Sequence, residues 1–217
     1  MKPHIKPSAV VFDFDDTLID AKFIIKKALS ATFDQFNISK DVLEQKNIDI
    51  NRSLRDYFHH IFADNIKEAR DAYYFHYDHF SKDLSALEGA EEVLKLLHHN
   101  KVYTAIVSNK GGERLRKEVK EKLAWQNYFA SIIGSGDAQE DKPSPKSAEL
   151  ALKDANLEHY NDVWFIGDSL VDLETAANLT CKGILFGNSH SNHNLPHYHS
   201  VANHDELLKL FQGIYNV

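Results

Sequence analysis

The 217-residue sequence predicts an α/β fold with a parallel sheet and a helical domain inserted after the first strand. Three observations support this prediction. Short apolar segments rich in Val, Ile and Phe recur along the chain, largely without polar alternation, as in strands buried on both faces. Segments of helical periodicity lie between them, which is typical of right-handed crossovers. The region 20–85 alone breaks this alternation.

The strand and helix segments of the α/β core follow one another from the N-terminus. The predicted strands are 8–14, 102–107, 129–134, 162–166, 183–186 and 200–202. The predicted helices are 89–99, 112–123, 145–156, 171–179 and 204–212, with Asn203 as the N-cap of the last one. The core is therefore expected to comprise residues 1–19 and 86–217.

Residues 20–85 are predicted to form a separate unit of three or four helices. Apolar side chains repeat at helical spacing in stretches that begin at Phe23, Ile50 and Ile66. Aromatic residues between positions 73 and 80 are candidates for a ligand pocket, although a small helical core accounts for most of them better.

Composition and charge argue against several classes of protein. The net charge is −7 without a basic patch, which argues against nucleic-acid binding. No run approaches eighteen apolar residues, the length needed to cross a membrane, and Asp13 ends the first apolar run too early for a signal peptide. Cys181 is the only cysteine, which excludes an internal disulfide and favours a packed thiol. We expect a soluble, cytoplasmic protein, and the sequence leaves its oligomeric state open.

Three acids follow the apolar residues of the first strand, at Asp13, Asp15 and Asp16. Carboxylates this close repel one another, and a cation between them lowers that cost. Mg²⁺ in proteins takes carboxylates, waters and phosphate oxygens as ligands. Because ligands bind at the carboxyl ends of parallel strands, the acids predict a metal–phosphate site. An acidic turn or helix cap would explain Asp16 but leaves Asp13 unexplained.

Polar side chains at the other predicted strand ends match this interpretation. Ser108 and Asn109 follow the second strand and could donate hydrogen bonds to phosphate. Lys142, past the third strand, could neutralise a phosphoryl group. Asp168 follows the fourth strand as a second metal-ligand candidate, with Asp172 close behind. Each feature is weak alone, but four of them in this order at strand ends are hard to assign to chance.

These residues together make the sequence similar to the haloacid dehalogenase-like hydrolase superfamily. The matching motifs are Asp13-Phe14-Asp15-Asp16-Thr17-Leu18, Ser108-Asn109, Lys142-Pro143 and Gly167-Asp168-Ser169 with Asp172. The helical insert lies where phosphoglycolate phosphatase-like members carry a cap. The resemblance covers essentially the whole chain and implies a Rossmann-like core with residues 20–85 as the cap.

The resemblance implies a role for each carboxylate of the first motif. Asp13 would be the nucleophile that forms an aspartyl-phosphate, and Asp15 the general acid and then base. Mg²⁺ would bind the Asp13 carboxylate, the Asp15 carbonyl and Asp168. Dehalogenating members lack an acid at the position of Asp15, so its presence favours phosphate esters. Asp16 departs from the glycine that is frequent at its position.

The remaining motif residues are implied to bind the transferring phosphoryl group. Ser108, Asn109 and Lys142 would hold that group, and Asp172 would orient Lys142 or a metal-bound water. Five basic residues of the insert are candidates to face the site, although a solvated helix face is the commoner role for each. They are Lys22, Lys26, Arg52, Arg55 and His59.

The leading functional hypothesis is a Mg²⁺-dependent phosphatase of a small phosphorylated metabolite. Phosphoglycolate, a sugar phosphate or a nucleoside monophosphate would all fit. A phosphomutase similar to beta-phosphoglucomutase is the alternative within enzymes, and a catalytically silent binding or regulatory member is the alternative outside them. The histidine-rich segment 190–204 is interpreted as an exposed polar loop because its spacing lacks a zinc pattern.

Overall fold

A computed structural model of the chain, which describes residues 5–187 and 197–217, contains one parallel six-stranded sheet. The strands are β1 (Ala9–Phe12), β2 (Tyr103–Gly111), β3 (Ser131–Ser135), β4 (Val163–Gly167), β5 (Lys182–Phe186) and β6 (His199–Val201). Their spatial order is β3-β2-β1-β4-β5-β6, and every neighbouring pair is parallel. The predicted α/β fold class is confirmed.

The helices divide into an insert between β1 and β2 and a set that covers the sheet. The insert contains α1 (Lys22–Gln35), α2 (Val42–Gln45), α3 (Leu54–Phe62) and α4 (Ile66–Phe80). The sheet is covered by α5 (Ala90–His99), α6 (Gly112–Lys117), α7 (Lys146–Ala151), α8 (Leu170–Asn178) and α9 (His204–Tyr215). Among the described residues, no helix is long and apolar enough to span a membrane.

β1 lies at the centre of the sheet, paired with β2 on one side and β4 on the other. Val10 and Phe12 pack into an apolar cluster that includes residues of α5 and α9. Ala9 and Val11 face the opposite cluster, which includes residues of α7 and α8. Burial on both faces explains why the strand sequence does not alternate. It also places the residue after Phe12 at the middle of the carboxyl edge.

The insert has an apolar core of its own, built largely from aromatic side chains. Phe58 of α3 meets Tyr73 of α4 edge to face, with ring centroids 5.9 Å apart. Phe33 of α1 and Phe62 of α3 add a second contact at 6.0 Å. Such pairs contribute beyond the apolar area that they bury. The insert is helical in the structure, as the periodicity predicted.

The boundaries of two core elements differ from the predicted ones in a way that affects the site. β2 continues to Gly111, with an irregular register between Val107 and Gly111, so that Ser108 and Asn109 lie within the strand. The predicted helix 112–123 is α-helical only to Lys117 and then forms a π-helical turn over Glu118–Lys122. π-helical turns are rare in proteins, and those that occur are often found at functional sites.

The histidine-rich segment is only partly an exposed loop. His190 and His193 lie outside the described residues. His204 begins α9 and is 1% exposed, so the interpretation as an exposed polar residue is wrong for it. Its ring packs on Phe186 with centroids 4.5 Å apart. Asn203 caps the helix, as predicted, by accepting a hydrogen bond from the backbone N–H of Glu206.

We expect His204 to weaken the fold at acid pH. Burial lowers the pKa of its imidazole from 6.5 to about 4, so the unfolded chain binds the extra proton first as pH falls. The contribution of neutral His204 to the free energy of unfolding is complete above about pH 6.5. It is lost as the pH falls towards 4, which lowers the free energy of unfolding by about 3 kcal/mol. The free energy of unfolding of His204→Phe, measured by urea denaturation from pH 7 to pH 4, should fall less steeply than that of the unaltered protein. Parallel curves for the two proteins would contradict this assignment.

Candidate active site

Asp13 lies directly after β1, where its backbone N–H donates to the carbonyl of Ile166 on β4 at 2.8 Å. Its side chain is buried, and its Oδ1 lies 2.6 Å from the Nζ of Lys142. Thr17 Oγ1 donates to its Oδ2 at 3.5 Å. The carboxylate is therefore held at the centre of the sheet edge by a cation from a neighbouring loop.

Lys142 is buried between two carboxylates, with its Nζ 2.6 Å from Asp13 and 2.6 Å from Asp172. The other oxygen of Asp172 accepts hydrogen bonds from the backbone N–H and hydroxyl of Ser169, at 3.1 and 2.6 Å. Ser169 and Asp172 also form a capping box at the start of α8, in which the Ser169 side chain accepts from the Asp172 backbone N–H and the Asp172 side chain accepts from the Ser169 backbone N–H. Both oxygens of Asp172 are thus engaged, one by Lys142 and the other by Ser169.

Asp13, Asp168 and Asp172 form an acidic cluster whose carboxylate oxygens lie within 4.8 Å of one another. Lys142 supplies one positive charge against three negative ones. Burial, followed by the charges of neighbouring carboxylates, raises the pKa of Asp168 to about 8. Burial likewise raises the pKa of Asp13 to about 7, although Lys142 opposes the shift. Two uncompensated charges in a buried oxygen-rich site fit a hard divalent cation such as Mg²⁺. Asp13 and Asp168 could serve as its ligands, because both line the cavity between the sheet edge and the helical insert, whereas Asp172 does not.

Asp15 forms a separate ion pair, with its Oδ1 2.6 Å from the Nζ of Lys110. Lys110 also contacts Glu118 Oε2 at 2.6 Å and the hydroxyl oxygen of Tyr77 at 2.8 Å. Burial raises the pKa of Asp15, and Lys110 opposes that rise. Asp13 and Asp15 therefore have different cationic partners, which gives the two carboxylates different electrostatic environments.

A cavity of about 90 Å³ separates the sheet edge from the helical insert. It is lined on the sheet side by Asp13, Asp15, Ser108, Lys142 and Asp168. It is lined on the insert side by Ile50, Asn51, Arg52, Leu54, Tyr57, Tyr73, Tyr74 and Tyr77. Drug-sized ligand pockets usually measure about 300–1,000 Å³, so this cavity suits a phosphoryl group with few further atoms.

The structure brings all seven predicted site residues to this edge of the sheet. Two of them, Ser108 and Asn109, also form hydrogen bonds within the protein. Ser108 is buried and lines the cavity, and its Oγ accepts the backbone N–H of Lys110 at 3.2 Å. The amide of Asn109 donates to the carbonyls of Asn51 and Lys142, at 2.9 and 3.1 Å. It therefore joins the insert to the Lys142 loop, and it also lines the cavity.

The candidates in the insert separate into three groups. Arg52 lines the cavity. Arg55 leaves it and joins the insert to the core, with its Nε 3.5 Å from Asp141 and its Nη2 donating to the carbonyl of Gln139 at 3.1 Å. The other three candidates are exposed and lie outside the cavity lining, namely Lys22, Lys26 and His59. Phe75, among the candidate aromatics, is 72% exposed.

Comparison with known families decides the classification. The family model described as haloacid dehalogenase-like hydrolase matches residues 10–186, which include all the motif residues above. The chain is a haloacid dehalogenase-like hydrolase. The resemblance predicted from the motifs is confirmed.

Curated relatives of this haloacid dehalogenase-like hydrolase carry phosphatase names. "Pyrophosphatase PpaX" of Listeria welshimeri serovar 6b is 28% identical over 177 residues, 80% of each chain. "Phosphoglycolate phosphatase 1" of Pseudomonas aeruginosa is 26% identical over 196 residues, 85% of this chain and 71% of the relative.

Solved structures of hydrolases share the fold. A HAD-superfamily hydrolase from Ehrlichia chaffeensis has a TM-score of 0.68 at 32% identity, over 98% of this chain and 100% of that one. A hydrolase from Pseudomonas syringae has a TM-score of 0.80 at 20% identity, over 95% and 98% of the two chains. At the lower identity the likeness concerns the fold alone.

Sequence reasoning missed two residues of this hydrolase's site, namely Lys110 and Glu118, and their link to Tyr77. Lys110 follows Ser108 and Asn109 directly, so a motif extended by one residue would have included it. Glu118 lies in a lysine- and glutamate-rich stretch that resembles a solvated helix face, yet it is 2% exposed. Tyr77 belongs to the aromatic residues that are candidates for a ligand pocket or for the helical core, and it lines the cavity. Only the tertiary structure joins the three.

Proposed function

We propose that this chain is a Mg²⁺-dependent phosphatase that hydrolyses a small phosphorylated metabolite through an aspartyl-phosphate on Asp13. The observation that supports this proposal most strongly is the position of the buried Asp13 carboxylate. It is paired with Lys142 at 2.6 Å and lines the same cavity as Asp15. The names of the curated relatives support phosphoryl chemistry. We further propose that residues 20–85 act as a cap that closes over the sheet edge.

In the first step, a carboxylate oxygen of Asp13 attacks phosphorus and the bond to the leaving oxygen breaks. Lys142 holds Asp13 in one orientation and offsets the negative charge of the phosphoryl group. Ser108 donates a hydrogen bond to a phosphoryl oxygen. In the second step, water attacks phosphorus, and the Asp13 carboxylate and inorganic phosphate are released. Splitting the displacement in two makes each step easier.

Asp15 handles the proton in both steps. It protonates the leaving oxygen as the ester bond breaks, and it takes a proton from the water that attacks the phosphoenzyme. Burial raises the pKa of its carboxyl, although the Lys110 ammonium opposes the rise. An alkoxide is a poor leaving group, so an alkyl phosphate needs this proton.

The residues present fit a magnesium ion. Asp13, Asp168 and the main-chain carbonyl of Asp15 would hold it, with Asp172 engaged elsewhere by Lys142 and Ser169. When bound, Mg²⁺ would neutralise charge on the phosphoryl oxygens and help to orient them.

The cavity supports a substrate that is small beyond its phosphoryl group. Its volume of about 90 Å³ leaves little room for a nucleoside while the insert lies against the sheet edge. Arg52 lines the cavity and is the cation of the insert that could meet a second negative group. Phosphoglycolate and pyrophosphate combine small size with such a group, so we rank them ahead of sugar phosphates and nucleotides.

Phosphate release from a panel of esters tests the proposal. The panel contains phosphoglycolate, pyrophosphate, sugar phosphates, nucleoside monophosphates and p-nitrophenyl phosphate, each with Mg²⁺ and with a chelator. We expect phosphate release only with Mg²⁺. Turnover should be fastest for a small substrate that carries a second anionic group besides the phosphoryl group. Folded protein with Mg²⁺ that releases phosphate from none of them would overturn the proposal. Turnover that requires a bisphosphate activator would indicate a phosphomutase instead.

A further inference from the structure

Lys110 has a buried ammonium group surrounded by three oxygen atoms from three different elements. Its side chain is 5% exposed, and its Nζ lies 2.6 Å from Asp15, 2.6 Å from Glu118 and 2.8 Å from the Tyr77 hydroxyl. The ammonium also lies 4.9 Å from the centre of the Phe14 ring. Glu118 and Tyr77 accept hydrogen bonds from this ammonium, and Asp15 forms an ion pair with it.

These three partners separate Lys110 from a residue that binds substrate. Although Lys110 borders the cavity, its ammonium is hydrogen-bonded to Glu118 and Tyr77 and paired with the Asp15 carboxylate. Two carboxylates beside one ammonium also leave a net negative charge, which disfavours an anionic ligand. The direct effect of Lys110 is therefore on the position of the Asp15 carboxylate.

Glu118 holds Lys110 from the core side. It is 2% exposed and is the first residue of the π-helical turn Glu118–Lys122. Its closer cation is Lys110, since Lys122 lies 3.8 Å from its other oxygen. A buried carboxylate needs such a partner because burial without one strongly disfavours its charge. The π-helical turn thus begins at a residue whose side chain contacts Lys110 of the site instead of solvent.

Tyr77 holds Lys110 from the opposite side, because it belongs to α4 of the helical insert. It is 1% exposed, and its hydroxyl accepts a hydrogen bond from Lys110. The core supplies Asp15, Lys110 and Glu118, while the insert supplies the third oxygen. If the insert moves away from the sheet edge, Lys110 loses that contact and Asp15 loses part of its support.

We propose that Lys110 is a positioning residue for Asp15, and that Tyr77 makes the placement of Asp15 depend on a closed insert. The inference rests on the proposed function, in which Asp15 protonates the leaving oxygen. It adds a physical link between cap closure and proton transfer. Chemistry would then proceed only when the helical layer covers the substrate, which also keeps bulk water from the proton donor.

Leaving-group dependence tests the positioning role. We would measure kcat/KM, which reports the steps up to loss of the leaving group, for phosphoglycolate and for 2,4-dinitrophenyl phosphate. The second ester expels a weakly basic phenolate that needs no proton. General acid catalysis contributes about 10²–10⁴-fold, so Lys110→Met should lower kcat/KM about 100-fold more for phosphoglycolate than for the aryl ester. Tyr77→Phe, which removes only the hydroxyl, should change the ratio in the same direction by about tenfold.

Lys122→Met is the matched control. Lys122 also contacts Glu118, at 3.8 Å, and donates to the Ser81 carbonyl at 2.8 Å, but it does not contact Asp15. Its substitution should leave the ratio of the two esters unchanged. Equal losses on both esters for Lys110→Met and Tyr77→Phe would overturn the inference, as would an equal ratio change in the control. If Lys110→Met does not fold, Tyr77→Phe decides alone.

The wild-type protein separates this failure from failure of the proposed function. An unaltered protein that hydrolyses none of the esters tested contradicts the phosphatase proposal itself. An unaltered protein that hydrolyses both, with variants that lose activity equally on each, contradicts only the role of Lys110. If phosphoglycolate is not a substrate, the alkyl phosphate that the panel shows to react fastest takes its place.

Discussion

Asp13→Asn should abolish phosphate release while leaving the fold intact. The amide cannot act as the nucleophile, and loss of a nucleophile elsewhere costs about 10⁶-fold in kcat, so we expect a fall of at least about 10⁴-fold. The substitution preserves the size of a side chain that lies at the centre of the sheet edge. It removes one of the clustered negative charges, so the free energy of unfolding should not fall. Turnover of the best panel substrate, with circular dichroism as a check on folding, measures the effect.

Asp16→Asn is the matched control for Asp13→Asn. It makes the same chemical change three residues along the same loop. One Asp16 oxygen accepts the backbone N–H groups of Ala21 and Lys22, at 3.2 and 2.7 Å, and an asparagine oxygen can do the same. Its φ of 60° is also a conformation that asparagine tolerates. We expect activity within a few-fold of the unaltered protein, and equal losses in the two variants would contradict the nucleophile assignment.

Lys142→Met should have the second largest effect, because it removes the cation between Asp13 and Asp172. Loss of one preorganised donor to a charged transition state costs about 10²–10³-fold in kcat, and misplacement of Asp13 should bring the loss to the upper end of that range. The buried carboxylates also lose their partner. Breaking a buried ion pair costs about 3–5 kcal/mol, so the metal-free variant should unfold more easily.

Magnesium provides the discriminating measurement for Lys142→Met. Without the lysine, the acidic cluster gains one more uncompensated charge, so Mg²⁺ should raise the melting temperature of the variant more than that of the unaltered protein. Lys146→Met is the control, because Lys146 is exposed and pairs only with Glu149, at 2.9 Å, among the described residues. A Lys142→Met protein with unchanged activity and stability would contradict the central place of this lysine.

The sequence predicted those parts of the site that depend on local order. Asp13 and Asp168 were identified because each follows a short apolar strand, and the carboxyl ends of parallel strands meet at one edge. Lys142 was identified by its place after β3, although its contacts with Asp13 and Asp172 span 129 and 30 positions. Residue type and strand order were sufficient to place all three at the site.

Other features depend on contacts that no local pattern encodes. The extension of β2 to Gly111 follows a register irregularity beside β3, which strand propensity does not reveal. The burial of His204 depends on packing against Phe186 from another strand. The Lys110 network joins residues 33 positions apart to a π-helical turn, and each member alone resembles an ordinary surface or core residue. These features follow from tertiary packing, and the local sequence pattern would have predicted otherwise.

Trapping the phosphoenzyme tests the central claim most directly. The protein would be mixed with Mg²⁺ and the best panel substrate, quenched in acid during turnover, digested and analysed by mass spectrometry. We predict a phosphoryl group on Asp13 in the peptide that contains Asp13-Phe14-Asp15, and none in Asp13→Asn treated alike. Turnover without that adduct, together with a phosphoryl group on another residue, would contradict the assignment of Asp13 as the nucleophile.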